Sequence, residues 1–385
     1  MAETHTPFLP SAEAGIRMRG VTKRFEPERR ARDSADLDIV AMDGVDLEVP
    51  RGSVTAILGP SGCGKTTTLR VISGLEVPDE GQVWVEGDEV VGPEDWVPPE
   101  DRRVGFVFQQ LALFPHLDVA GNVGFGLKRR DRKSKVPEML ALVGLSGYEK
   151  RRPHELSGGQ AQRVAVARAL APQPRALLLD EPFASLDVSL RADVRNEVAE
   201  VLASAGTTTV LVTHDQDEAL SMGDQVVIML GGRVAQAGSP EEVYRNPATP
   251  EIAAFLGDAN LLMGEVRNGM VRTTVGPLKV EVGTPDGPAI ALVRPEDLDL
   301  EISTRGDGRV TEVEYFGHDQ RISVLLDSGE SVKARLHARR KFDVGTRVRV
   351  RAGGGLGPVI YPLASIDGRS EAIISGGRPG TTVRP

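Results

Sequence analysis

The chain holds a single cysteine, Cys63, among 385 residues. No internal disulfide can form, and the usage fits a reducing cytosol. No apolar stretch approaches the roughly 20 residues needed to span a bilayer, so any service to a membrane runs from the cytoplasm through a partner. Met1 to Ala14 lacks both a basic start and an apolar run and does not read as a secretory signal. There is no long run of lysine and arginine, and the net charge is −9. Both argue against a nucleic-acid binder, although a local basic patch stays compatible. What remains is ordinary for a soluble protein, with 40% apolar and 26% charged residues. The length exceeds one compact core and predicts two or three domains.

Against these absences stands one dense motif. Gly59-Pro60-Ser61-Gly62-Cys63-Gly64-Lys65-Thr66-Thr67 matches G-x-x-x-x-G-K-[ST]. Residues 53–58 before it are apolar and partly β-branched, which suits a buried strand. Residues 67–72 after it, closed by Gly74, suit a helix of about two turns. Glycines let backbone N–H groups turn inward around phosphate oxygens, and the helix N-terminus adds partial positive charge. Lys65 would reach the β- and γ-phosphates, and the Thr66 hydroxyl would sit on Mg²⁺.

Around this motif, apolar segments alternate with helix formers up to about residue 240. That pattern predicts a mainly parallel sheet with its ligand at the strands' C-terminal ends. Strands are expected at 16–25, 45–49, 81–87, 104–108, 176–179 and 208–213, and a hairpin at 225–237. Residues 26–38 read as a solvated charged loop and 90–99 as a turn-rich loop. Residues 119–155 read as mainly helical with breaks at Pro137, Gly144 and Pro153. Helices are expected at 161–170 and 188–203. From about Gly257 period-two alternation takes over, in 308–316, 321–326, 330–336, 346–351 and 358–363, which predicts a small β-barrel or sandwich.

Gln109, Asp180 and His214 all fall at predicted strand ends, where the phosphate loop also lies. Asp180 closes an apolar strand and can hold Mg²⁺ through water, while Glu181 points the other way and can orient a hydrolytic water. Leu156-Ser157-Gly158-Gly159-Gln160 opens a long helix and offers a second anion site. One chain thus has two phosphate-binding helix ends, too many for one nucleotide unless two chains share it. His214 has no neighbouring His or Cys for a zinc site; it is either a satisfied histidine or a donor to a γ-phosphate. Phe25 is either a core aromatic or a ring that stacks on adenine.

Gly59–Thr66, Gln109, Leu156–Gln160, Leu179–Glu181, Ser185-Leu186-Asp187 and His214, in that order, resemble the motif set of an ABC-transporter ATP-binding subunit. The resemblance implies an α/β P-loop NTPase fold: a mainly parallel core sheet, an antiparallel β subdomain and a helical signature subdomain. It implies ATP and Mg²⁺ as cofactors. Glu181 would be the catalytic base, with His214, Lys65 and Gln109 also catalytic. The metal would be held by Thr66, Gln109 and Asp180. Nucleotide would lie on Phe25, Gly59, Pro60, Ser61, Gly62, Cys63, Gly64, Lys65, Thr66 and Thr67. Ser157, Gly158, Gly159, Gln160 and Asp187 would act across a homodimer interface. Residues 111–115 would touch the permease's coupling helix. One departure is the 15-residue stretch 26–40, where the family has only a few residues; it bears on Phe25.

Residues 258–262 and 293–297 are similar to the join and barrel of the OB-like, all-β TOBE domain of importer ATPases. Residues 98–105, 112–117, 205–208 and 247–250 look most like the iron(III) group; polyamine, sulfate, thiamine and quaternary-amine importers share much of this. The implied domains are a disordered 1–15, an ATP-binding domain 16–256 with its helical part at about 110–165, a TOBE-like domain 257–365 and a flexible tail 366–385. The implied partners are a second copy, permease subunits and, indirectly, an extracytoplasmic solute-binding protein, with no nucleic acid. The implied place is the cytoplasmic face of the inner membrane, held peripherally. A soluble ABC ATPase of repair or translation is the competing class, and a regulatory module with vestigial hydrolysis is a third.

Overall fold

A computed structural model describes residues 14–26, 39–93, 95–353 and 357–365. The expectations for 1–13, most of the 26–40 stretch and the tail from 366 lie outside the described residues. The chain divides into two compact units, Met1–Glu241 and Glu242–Pro385.

The first unit opens with β1 (Ala14–Phe25) and β2 (Ile39–Pro50), then β3 (Val54–Leu58) and α1 (Lys65–Ser73). Next come β4 (Glu80–Val85), β5 (Asp88–Val91), α2 (Pro99–Arg102) and β6 (Val104–Val107). A helical region holds α3 (Val119–Val123), α4 (Arg132–Leu142) and α5 (Gly158–Leu170). The unit continues through β7 (Ala176–Asp180), α6 (Val188–Ala205), β8 (Thr208–Thr213), α7 (Gln216–Met222), β9 (Gln225–Leu230) and β10 (Arg233–Gly238). Strands β2-β1-β4-β5 form an antiparallel sheet, and a second sheet runs β10-β9-β3-β8-β7-β6. Every pairing in the latter is parallel except that of β10 with β9. Its inner strands β7 and β8 are buried at every position, and apolar residues of each share one core with α1 and the antiparallel sheet.

Two local expectations need correction. Val90 and Val91 belong to β5, not to a loop: both are buried and pair back on β4. The turn Glu86-Gly87, with φ of 51° and 87°, has the left-handed pair that a tight hairpin requires. Pro137 does not break the helix but lies inside α4. It is exposed, so water can take the hydrogen bond its missing N–H forgoes, while Val136 and Leu140 bury the opposite face.

Helix α8 (Pro240–Arg245) straddles the division between the units, and α9 (Pro250–Phe255) comes next, in the second. Ten strands follow: β11 (Asn260–Arg267), β12 (Met270–Thr273), β13 (Gly276–Lys279), β14 (Gly287–Val293), β15 (Leu298–Ile302), β16 (Gly308–Tyr315), β17 (Asp319–Leu326), β18 (Ser331–His337), β19 (Arg347–Ala352) and β20 (Val359–Pro362). They make two five-stranded sheets, β13-β12-β11-β14-β20 and β15-β19-β16-β17-β18. Residues 242–256 fall with this unit because buried Arg294 holds them. Its guanidinium donates to the carbonyls of Tyr244 (2.9 Å), Ala253 (2.9 Å) and Asp258 (3.2 Å) and lies over the Tyr244 ring.

Candidate active site

Parallel register brings the predicted residues to one edge. Leu58 pairs with Thr213, Asp180 with Val212 and Val107 with Leu179. Gly59, Glu181, His214 and Gln109 therefore leave four neighbouring strands at a common level, each strand about 4.8 Å from the next.

The loop 59–64 is built for close approach. Gly64 has φ +99°, and a Cβ there would stand 2.1 Å from the Ala41 carbonyl oxygen. A Cβ on Gly59 would lie 2.4 Å from the Met229 carbonyl oxygen. Gly64 caps α1 without a side chain, so the first-turn amides keep no intrahelical acceptor and face the loop. Lys65 is buried and spans the loop, its Nζ donating to the carbonyls of Gly59 (2.7 Å) and Pro60 (3.0 Å). Pro60 and Ser61 are exposed, and Cys63 is buried beneath them. Burial pushes the Cys63 thiol up, against the pull of Lys65. At the far end of α1, buried Arg102 donates to the carbonyls of Val71 (2.7 Å) and Ile72 (3.0 Å). A cation at the helix C-terminus favours the dipole that faces the loop.

Thr66 donates its hydroxyl to Asp180 Oδ1 at 3.0 Å. Burial raises the Asp180 carboxyl above the usual carboxylate range; the Thr66 hydrogen bond and Lys65 oppose this, and Glu181 adds to it. A hydroxyl and a desolvated carboxylate side by side are hard oxygen donors of the kind that suit Mg²⁺ with phosphate and water.

Glu181 follows at φ 43°, a left-handed backbone that costs a non-glycine residue energy and clusters at functional sites. Its N–H donates to Val212 O at 2.9 Å, which holds the strained turn. The carboxylate then meets two groups: Gln109 Nε2 donates to Oε2 at 3.3 Å, and His214 Nδ1 lies 3.2 Å from Oε1. His214 sits on a braced loop in which Thr213 donates to buried Glu218 (2.6 Å) and accepts from the Asp215 amide (2.9 Å).

The remaining predicted residues stand apart. Ser157 and Gln160 form a capping box at the start of α5, the Gln160 amide donating to Ser157 Oγ (3.3 Å) and the Ser157 amide to Gln160 Oε1 (3.0 Å). No hydrogen bond joins Ser157–Gln160 to the phosphate loop among the described residues. Gly159 is buried against Val194, and Gly158 is exposed beside Leu186. Asp187 is exposed at the start of α6. Phe25 is partly exposed at the end of β1, with Lys23 Nζ 5.3 Å from its ring centre.

Sequence reasoning missed Arg168. On α5, it donates to the carbonyls of Leu111 (2.7 Å) and Ala112 (2.6 Å), two consecutive left-handed residues just past Gln109-Gln110. Its signal was a cation inside a helix otherwise buried on most sides.

Residues 42–184 match the model of the ABC transporter family, and 291–353 match that of the TOBE domain. The Fe(3+) ions import ATP-binding protein FbpC 2 of Rhodococcus jostii is 46% identical over 319 residues, covering 81% of this chain and 92% of that protein. The FbpC protein of Pseudomonas fluorescens is 44% identical over 329 residues, covering 82% and 93%. The chain belongs to the ABC transporter ATP-binding family. The solved structure of cbiO1 from Clostridium perfringens, part of the ABC transporter complex cbiONQ, shares the fold. It is 28% identical with a TM-score of 0.52, covering 61% of this chain and 92% of that one. As an ABC ATP-binding subunit the chain is an ATPase, with the P-loop NTPase fold followed by a TOBE domain.

Proposed function

We propose that this chain is the ATP-hydrolysing subunit of an importer, held at the cytoplasmic membrane face by permease subunits, with iron(III) as the cargo. The observation that carries the catalytic part is Glu181, held between Gln109 and His214 at the edge of the phosphate loop. The cargo rests on similarity to proteins named for Fe(3+) import.

In this reading Lys65 exchanges the loop carbonyls for phosphate oxygens, and the first-turn amides of α1 take the remaining charge. Thr66 and Asp180 are the metal-holding residues, aided by Gln109; Mg²⁺, when bound, neutralises charge on the β- and γ-phosphate oxygens. Glu181 accepts the proton of the attacking water. His214 donates to the γ-phosphate and keeps Glu181 in place. Ser157, Gly158, Gly159 and Gln160 make no hydrogen bond to the phosphate loop of their own chain among the described residues. They close over the nucleotide of a second copy, with Asp187 beside them, so binding draws two chains together and hydrolysis releases them. Phe25 stacks on the base. A solute-binding protein outside the membrane delivers the cargo to the permease.

Labelled iron(III) uptake, measured in cells carrying the wild type or Glu181→Gln, tests the whole reading. Uptake lost in the variant supports it. Unchanged uptake with the purified variant inactive would keep the motor and discard the cargo, leaving polyamines, sulfate, thiamine and quaternary amines.

A further inference from the structure

In a chain of net charge −9, residues 128–135 hold six cations and one acid. Asp131 and Ser134 interrupt the cations, so that no more than three are consecutive. Lys128, Arg129, Arg130, Arg132 and Lys133 are exposed, and Lys135 is half-buried. Among the described residues the one ion pair here is Arg130 with Asp131, at 3.6 Å. Lys128, Arg129, Lys133 and Lys135 form no salt bridge with a described residue.

The placement of these charges opposes local stability. Arg132, Lys133 and Lys135 occupy the first turn of α4, which holds no acid, and the preceding Asp131 makes no side-chain cap. Cations at a helix N-terminus face the positive end of its dipole. A negative surface outside the chain would offset that repulsion.

The fold also fixes what lies beside them. Arg132 donates to the carbonyls of Leu127 (3.2 Å) and Phe125 (3.4 Å), tying the cationic turn to Phe125. Phe125 is 55% exposed, and its ring centre stands 4.3 Å from that of Phe114. Phe114 lies in 111–115, the segment expected to meet the permease. If that segment receives the permease, the basic turn beside it confronts the bilayer surface. This step rests on the importer reading above.

We infer that Lys128–Lys135, with the exposed ring of Phe125, is a contact for the anionic lipid headgroups around the permease. The cations are exposed and spread over a turn and one helix end, which suits a fluid layer of charge better than one shaped acidic partner. Each cation within reach of such a surface raises partitioning about fivefold. Attraction of this kind is screened by salt within a Debye length.

The test is flotation of the purified full chain with vesicles of phosphatidylcholine alone or with phosphatidylglycerol added. Binding is expected only with the anionic lipid and is expected to disappear in high salt. The triple variant Arg129→Glu, Arg130→Glu, Lys133→Glu should partition more than about a hundredfold less, since it removes three cations and adds three anions. Its melting temperature should not fall, since an acid at the start of α4 suits the helix dipole, and its solution ATPase should not change. Arg132 is left in place because its hydrogen bonds are structural. A control reversing Arg305, Arg309 and Arg339, all exposed in the second unit, should bind as the wild type does. Equal binding to neutral vesicles, no binding, or a triple variant that floats like the wild type would overturn the lipid contact. So would unchanged flotation combined with lost capture by detergent-solubilised permease, which would move the patch to a protein partner. The vesicles contain no permease, so this result is scored apart from iron uptake.

Discussion

His214 Nδ1 lies 3.2 Å from Oε1 of Glu181, a contact between the residues that follow two neighbouring parallel strands. Because Gln109 takes the other oxygen, the carboxylate is oriented from both sides before any substrate arrives. Glu181→Gln keeps the shape and removes the proton acceptor. Turnover should fall by about 10²–10⁴-fold. Nucleotide affinity should survive, and light scattering with ATP and Mg²⁺ should find a stable dimer. A variant that stays monomeric would count against the shared site.

Asp180 gives a prediction with a sign. Burial raises its folded carboxyl above the unfolded value, so the folded chain holds the proton more tightly. The stability this contributes is complete below the unfolded pKa and is lost as pH rises through the folded one. At neutral pH the ionised carboxylate is therefore a cost. Asp180→Asn should raise the melting temperature without nucleotide, by about 1 kcal/mol in stability. The gain should be larger at pH 8 than at pH 5. The extra stabilisation by Mg²⁺ over ATP alone should vanish. A variant that melts lower at pH 8 would refute the argument.

Cys63 is buried under the loop, with its thiol pushed up. Alkylation should be slow at neutral pH, quicken as pH rises, and be suppressed by ATP. A bulky label should block nucleotide binding in proportion to its extent. Full labelling with unaltered binding would remove Cys63 from the cradle.

Arg168 holds the carbonyls of Leu111 and Ala112 at φ 56° and 46°. Burial lowers its pKa, and those carbonyls replace its lost water. Arg168→Met should free this strained segment at a cost of about 1.5–3 kcal/mol, the range for hydrogen bonds to a charged group. Turnover should fall with KM for ATP little changed, because the phosphate loop is untouched. Arg168→Lys should recover part of it. A rise in KM with normal kcat would contradict this role.

The phosphate loop, the strand ends and the hairpin were legible in the sequence because each rests on local chemistry: glycine at a turn, apolar runs in buried strands, an acid at a strand's close. The strands in 260–302 were not read. Several are four or five residues long, and β14 is almost wholly apolar at its end, so alternation is lost. Pro137 misled because propensity counts a missing N–H without knowing that water can replace it. Arg102 and Arg168 were invisible for another reason. Each bonds to backbone carbonyls distant in sequence, and only the folded chain brings these within reach.

Phe25 and Ile39 are paired where β1 ends and β2 begins, and the ladder runs from there to Ala14 and Pro50 through register shifts at four points. Whatever joins those two ends need only bridge one strand spacing. An epitope, a fluorophore site or a protease cleavage sequence inserted between these two ends would enter where β1 and β2 already lie side by side. Such a reporter would let this subunit be followed in living cells from a different sheet than the one that carries Gln109, Glu181 and His214.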